Sequence, residues 1–294
     1  MTRWIAFAGI ILFGLGAVFV CERDNIDVQT SPAAILYFVA DTEREITRMP
    51  MQLTRLPDEE EIRAGDDMAR IQASAFPLND DESREEEYIQ QVGERVAEHA
   101  HRRLPYYFHY IPNADFINAY ALPGGHVFIG KGLVSLMDTE DELAAVLGHE
   151  IEHIDKYHCA ERVQQEAIFR KIPLGELAAL PLEVFEAGYT KDQELEADRE
   201  GTKLSVAAGY SASGAIHMFE TFEKLDPQSR GRASTPEQEL SQVAMDTLEG
   251  YFRSHPLAGE RIQRLNDLHL PNHAEKPLAV RPQISLNSGT AQPK

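Results

Sequence analysis

The pattern H-E-x-x-H, present as GHEIEH at Gly148–His153, constrains this chain more than any other feature of its sequence. It sits in a stretch that reads as a helix. T-E-D-E from Thr139 is a capping box, in which Thr139 accepts from the first-turn amides and Glu142 reaches back to the cap. Leu143, Val146, Leu147, Ile151 and Ile154 then recur at helical spacing as a buried stripe. On such a helix His149 and His153 lie one turn apart on one face, so both imidazoles can meet a single metal ion, and Glu150 between them can activate a water in the open position. Gly148 in the interior of that helix costs about 1 kcal/mol relative to Ala, which indicates that another backbone passes close by.

Two imidazoles do not complete a catalytic site, which usually has three protein ligands. The cysteines, Cys21 and Cys159, number only two, so a four-thiolate zinc site and a disulfide-stapled mini-domain are both excluded, and the third ligand must be a His or a carboxylate. A His ten residues after the first would serve, but that position holds Cys159, and His158 beside it reads as a surface residue at the helix end. A Glu from a later helix is the other solution. E-L-E-A-D at Glu194–Asp198 supplies it: Glu194 and Asp198 share a helix face, so Glu194 can bind the ion while Asp198 accepts a hydrogen bond from a ligating imidazole. Glu196 points elsewhere on that helix. Read by itself, this acidic segment is by default an ordinary solvent-facing helix.

Upstream of the motif, Pro123, Gly124 and Gly125 read as a turn into a short strand, His126 to Ile129, that alternates its side chains between two faces. Its place just before the His-Glu helix suggests a cleft-edge strand to which an extended polypeptide adds by main-chain hydrogen bonds. Gly124, Gly125, His126, Val127 and Phe128 are then candidate substrate contacts, with Asn118 and Ala119 shaping the approach.

Residues 4–20 carry no charge, with Arg3 before them and Glu22, Arg23 and Asp24 after. They read as a membrane-targeting segment, anchor or cleaved signal peptide, that leaves the rest of the chain extracytoplasmic. Cys21 stands where a lipidated cysteine would, although Val20 before it is larger than that position favours. The formal charge of -20 repels phosphate backbones and no basic patch offsets it, so nucleic acid is not an expected partner. Half of that charge comes from residues 58–98, where 14 acidic side chains face 4 basic ones. Ile62, Met68, Ile71, Tyr88, Ile89, Val92 and Val96 recur there at helical spacing, the pattern of two amphipathic helices with solvated acidic faces. The expected organisation is a targeting segment over 1–21, a linker over 22–57, one catalytic domain over 58–269 and a loose tail over 270–294, polar and punctuated by Pro.

Four ordered elements carry a resemblance: NAYALPGGHVFIGKGL at 118–133, the GHEIEH helix, ELEADREG at 194–201 and SHPLAGERI at 254–262. With these the chain resembles, from about Glu59 to Leu265, the gluzincin metallopeptidases of the HtpX and CAAX prenyl endopeptidase type, and within them the envelope quality-control branch of BepA, LoiP and Oma. The resemblance implies a mostly helical α+β, zincin-like domain with a small β-sheet whose edge strand borders the active-site cleft. It implies one zinc ion per chain on His149, His153 and Glu194, Glu150 as general base and Asp198 behind a ligand. His255, before Pro256, would face the zinc as a resting-state fourth ligand or as a donor to the developing oxyanion; Arg261 reads as a structural ion pair. The implied activity is endoproteolysis of unfolded or misassembled envelope proteins in the bacterial periplasm or an equivalent compartment, with the membrane engaged through the N-terminal segment. A different class of function, a membrane-tethered chaperone or assembly factor with a closed zinc site, is separated from it by the intact Glu150, which a pure scaffold does not need.

Overall fold

The computed structural model describes residues 55–172, 188–225 and 260–280, with Leu177, Leu180 and Val184 between the first two stretches. The apolar segment at 4–20, Cys21, most of the expected linker and His255 lie outside the described residues. No helix among the described residues is long and apolar enough to cross a membrane.

The acidic stretch forms two amphipathic helices, α1 (Asp58–Ser74) and α2 (Asp80–Ala97). Asn79 caps α2, accepting from the amides of Asp81 and Glu82 while the Glu82 carboxylate accepts from the Asn79 amide. Met68, Ile89, Val92 and Val96 are buried as the periodicity predicts, whereas Ile71 is exposed. Folding starts earlier than residue 58: Leu56 is buried, and Arg55 pairs with Glu161 at 3.3 Å.

Three short strands follow, β1 (Tyr107–Ile111), β2 (Ala119–Leu122) and β3 (His126–Gly130), in the order β1-β3-β2. β1 runs parallel to β3, and β2 runs antiparallel to it through the Pro123–Gly125 turn. Gly124 and Gly125 take φ of 78° and 109° there, a region that side chains with a Cβ rarely enter. The Glu61 carboxylate accepts from the Gly124 amide at 3.0 Å and is itself gripped by Arg102, so α1 fixes the turn.

Here the structure corrects the sequence reading. The strand at 126–130 is the central one, paired on both sides and buried on both faces, so no further chain can add to it. Side-chain alternation reports which residues share a face and says nothing about how many neighbours a strand has. The outer strands are β1 and β2. β1 is closed by α2, because the Phe108 and Tyr110 amides donate to the side chains of Gln90 (2.7 Å) and Glu86 (3.1 Å). β2 is the strand against which the His-Glu helix packs most extensively.

After a single turn, α3 (Lys131–Val134), come α4 (Glu140–Asp155), α5 (His158–Arg170), α6 (Lys191–Ala207), α7 (Ser213–Leu225) and α8 (Glu260–Asp267). One sheet face, carrying Val127 and Ile129, packs with α2 and α4. The other, carrying Tyr120, Leu122 and Phe128, packs with α1 and α5. The described part is thus α+β and mostly helical, with α4 at its centre: every residue from Asp141 to Asp155 is buried.

The expected loose tail is ordered over 270–280. Thr139 bridges Pro277, the Leu278 amide donates to the Asp138 carbonyl and the Glu140 amide to the Lys276 carbonyl, and Leu278 is buried. The Asp141 carboxylate accepts from the amides of Lys276 (2.7 Å) and Ser211 (2.6 Å). A Pro-rich polar strap has no periodicity because its hydrogen bonds run to the N-terminus of α4 rather than within itself.

Candidate metal centre

α4 begins at the expected cap: the Glu142 amide donates to Thr139 Oγ1 at 3.2 Å, and the Thr139 amide to the Glu142 carboxylate at 2.8 Å. This start sets the rotation of the helix, and His149 and His153 face α6. The two helices cross where Gly148 meets Gly201. A Cβ on Gly148 would lie 2.6 Å from the Gly201 carbonyl oxygen, and one on Gly201 would lie 2.6 Å from the Gly148 carbonyl carbon and the His149 amide. Only two glycines permit this backbone contact. Ser205 Oγ seals it by donating to the Ala144 carbonyl at 2.9 Å.

The close crossing brings Glu194 to the imidazoles. His149 Nε2 lies 3.1 Å from His153 Nε2, and the two nitrogens lie 3.5 Å from Glu194 Oε2 and Oε1 respectively. Ligand atoms held at about 2.1 Å in a tetrahedron stand about 3.4 Å apart, and these separations, which reach both oxygens of the one carboxylate, are of that order. The donor chemistry agrees. His149 Nδ1 is 2.9 Å from Asp198 Oδ1, a carboxylate that can only accept, so the proton sits on Nδ1 and the Nε2 lone pair points at the Glu194 carboxylate. The buried Glu194 carboxylate is also paired with Arg261, an Nη of which lies 3.2 Å from Oε2, so its charge is partly offset before any metal binds. Without one, burial pulls the His149 pKa down, but hydrogen bonds to Asp198 and Glu194 outweigh it and raise it to about 10. Burial holds His153 well below the ordinary imidazole value.

Asp198 is fixed in turn by Arg261 of α8, whose guanidinium donates from Nε to Oδ2 and from an Nη to Oδ1, both at 2.6 Å, and lies over the Phe219 ring. Burial alone would raise the Asp198 carboxyl; Arg261 and His149 reverse this and hold it below the usual carboxylate range. Arg261 therefore makes the structural ion pair read from the sequence. Glu150 is fully buried on α4 between the two imidazoles.

Two residues near the centre, His158 and Tyr189, escape the sequence reading. His158 is buried rather than on the surface, with Nδ1 3.0 Å from His153 Nδ1 and Nε2 3.5 Å from Glu196 Oε2. Glu196 does point away from the ligands, as expected, and meets His158 there. Tyr189 stacks on the His153 ring at 3.8 Å between centroids, and its hydroxyl is 3.2 Å from Cys159 Sγ. Cys159 is buried, and burial pushes its thiol pKa up, away from reactivity. His158 is misplaced by sequence reasoning because the helix breaks before it: Tyr157 adopts φ 62°, a left-handed conformation that no glycine advertises.

The candidate substrate residues separate from this centre. His126 is bound into the sheet, with Nε2 2.9 Å from Asp66 Oδ1 and Nδ1 3.0 Å from His109 Nε2. Phe128 is sandwiched between His109 and Tyr120, and Val127 is fully buried. Asn118 accepts from the Ala119 amide through its side chain at 2.9 Å and, through its carbonyl, from the Gly130 amide at 2.9 Å. These side chains build the sheet and the turn before α4.

The chain is 31% identical over 212 residues to the beta-barrel assembly-enhancing protease of Yersinia pestis, covering 64% of this chain and 42% of that protein. It is 26% identical over 175 residues to the mitochondrial metalloendopeptidase OMA1 of Arabidopsis thaliana (56% of this chain, 32% of that protein), and 26% identical over 165 residues to metalloprotease YcaL of Escherichia coli K12 (51% and 58%). The chain thus spans less than half the length of the beta-barrel assembly-enhancing protease it matches. The profile of peptidase family M48 matches residues 83–269, a stretch that contains the H-E-x-x-H helix and Glu194, and the chain belongs to that family.

Proposed function

We propose that this protein is a zinc-dependent endopeptidase of the cell envelope that cleaves unfolded or misassembled proteins, with zinc on His149, His153 and Glu194. The observation that carries the reading is the convergence of those three side chains, from two helices locked at Gly148 and Gly201, with the imidazole nitrogens 3.1 Å apart and each 3.5 Å from one oxygen of the Glu194 carboxylate. When bound, zinc supplies Lewis acidity that polarises the scissile carbonyl and eases deprotonation of the attacking water. Glu150 takes that proton and passes it to the leaving amine. Asp198, clamped by Arg261, holds His149 in the tautomer that leaves Nε2 for the metal. The envelope location rests on the uncharged segment at 4–20 together with the names of the bacterial relatives.

The test uses the full chain, an unfolded protein such as casein and metal analysis. Glu194→Ala loses stoichiometric zinc. Glu150→Gln keeps zinc and cleaves about 10²- to 10⁴-fold more slowly. Cleavage by Glu150→Gln at the parent rate refutes the assignment.

A further inference from the structure

The two ligating imidazoles are backed by different chemistry. Behind His149 stands a carboxylate, Asp198; behind His153 stands a second imidazole, His158, itself 3.5 Å from the carboxylate of Glu196. Glu194, Glu196 and Asp198 all come from the first turns of α6, so one short segment supplies a ligand and the carboxylates that stand behind both imidazoles. Between two imidazole nitrogens 3.0 Å apart, one donates and the other accepts. If His158 Nδ1 donated, His153 would accept through Nδ1 and carry its proton on Nε2, where Glu194 and His149 Nε2 already converge. If His153 Nδ1 donates, its Nε2 lone pair joins the cluster and His158 is left with a proton on Nε2, directed at Glu196 Oε2. Only the second arrangement directs a His158 proton at Glu196 and leaves the His153 Nε2 lone pair free to face the cluster.

We infer that His158, backed by Glu196, is a positioning residue that fixes the tautomer and ring orientation of His153 for metal binding. The inference rests on the zinc-site reading above. Tyr189, stacked on the His153 ring, holds its plane, while His158 sets its rotation within that plane. The break at Tyr157 gives the fold this option. By ending α4 and restarting the chain as α5, it turns the side chain at position 158 back toward α4 instead of letting it follow the helix round to another face.

The test compares two substitutions in the full chain. His158→Asn keeps an acceptor oxygen near the position of Nδ1; His158→Leu has similar bulk and no acceptor. In competition with a chromophoric zinc chelator, His158→Leu binds zinc about 10- to 100-fold more weakly than the parent. His158→Asn stays within about threefold of the parent. Glu196→Ala falls between the two. A purely structural role predicts instead that both His158 variants lower the melting temperature of the metal-free protein and leave zinc affinity alike, and that result overturns the inference. Should His158→Leu fail to fold, nitrogen-15 spectra of the histidines in the metal-free parent decide: a proton on Nδ1 of His153 supports the inference, and a proton on Nε2 overturns it. If the parent binds no zinc, or Glu194→Ala binds it unchanged, the metal-site reading fails by itself, and the same spectra still report the tautomer.

Discussion

Gly201→Ala adds one methyl group where α4 and α6 touch, two turns along α6 from Glu194. The new Cβ would stand 2.6 Å from the Gly148 carbonyl carbon and the His149 amide, atoms of a helix backbone that cannot rotate away. Ordinary contact begins near 3.4 Å, so the helices must separate locally by about 0.8 Å, whereas metal–ligand bonds tolerate about 0.2 Å. Overpacking of this kind costs about 1–3 kcal/mol, and about 1 kcal/mol returns through the better helix propensity of Ala. The net loss in stability is therefore modest, roughly 0–2 kcal/mol, or a few degrees in Tm for a domain of this size. Zinc affinity suffers more, by at least about tenfold, because Glu194 rides on the displaced helix while both imidazoles stay on the other. Chelator competition and thermal melting of the metal-free protein measure the two effects separately. A Gly201→Ala protein that melts higher than the parent, by the propensity gain alone, and binds zinc equally well would refute the claim that this glycine pair sets the ligand geometry.

Two further outcomes follow from features away from the metal. Burial, with the charge of His126 second, lowers the His109 pKa to about 4. Between that value and about 6.5 the unfolded chain takes up a proton that the fold refuses, so the contribution of His109 is complete above pH 6.5 and fades as pH falls toward 4; from pH 7 to 5 the loss is at most about 2 kcal/mol before solvent screening. Urea midpoints of the parent and of His109→Phe, which keeps a ring on Phe128, should converge as the pH drops, and parallel curves would contradict this. Ending the chain after Leu270 removes a buried Leu278 and the amides that Asp141 and Asp138 hold, and should lower stability by about 3 kcal/mol; an unchanged melting temperature would show the strap to be dispensable.

What the sequence made legible was local. The capping box at Thr139 and Glu142 fixes where α4 starts, four-residue spacing fixes that His149 and His153 share a face, and Gly148 in mid-helix already demanded a close neighbour, which proves to be Gly201. Each of these depends on residues within a turn or two of one another. The failures share the opposite property. The central place of β3 depends on β1, whose parallel pairing crosses the whole β2 hairpin, and no alternation within His126–Ile129 could reveal it. His158 reads as a helix-end residue because nothing in the sequence marks Tyr157 as left-handed. The ordered strap was read as tail because its partners, Asp138 to Asp141, lie far back in the chain.

That last pairing also sets an order of events during synthesis. The carboxylate at 141 and the amide at 276 that it receives are 135 positions apart, and a ribosome delivers the second long after the first has left the exit tunnel. Contacts of such sequence separation form late because the loop between them must close first. The motif helix therefore acquires its finished N-terminus only after residues 276–278 have been made, and its maturation waits on positions more than a hundred residues downstream rather than on its own emergence.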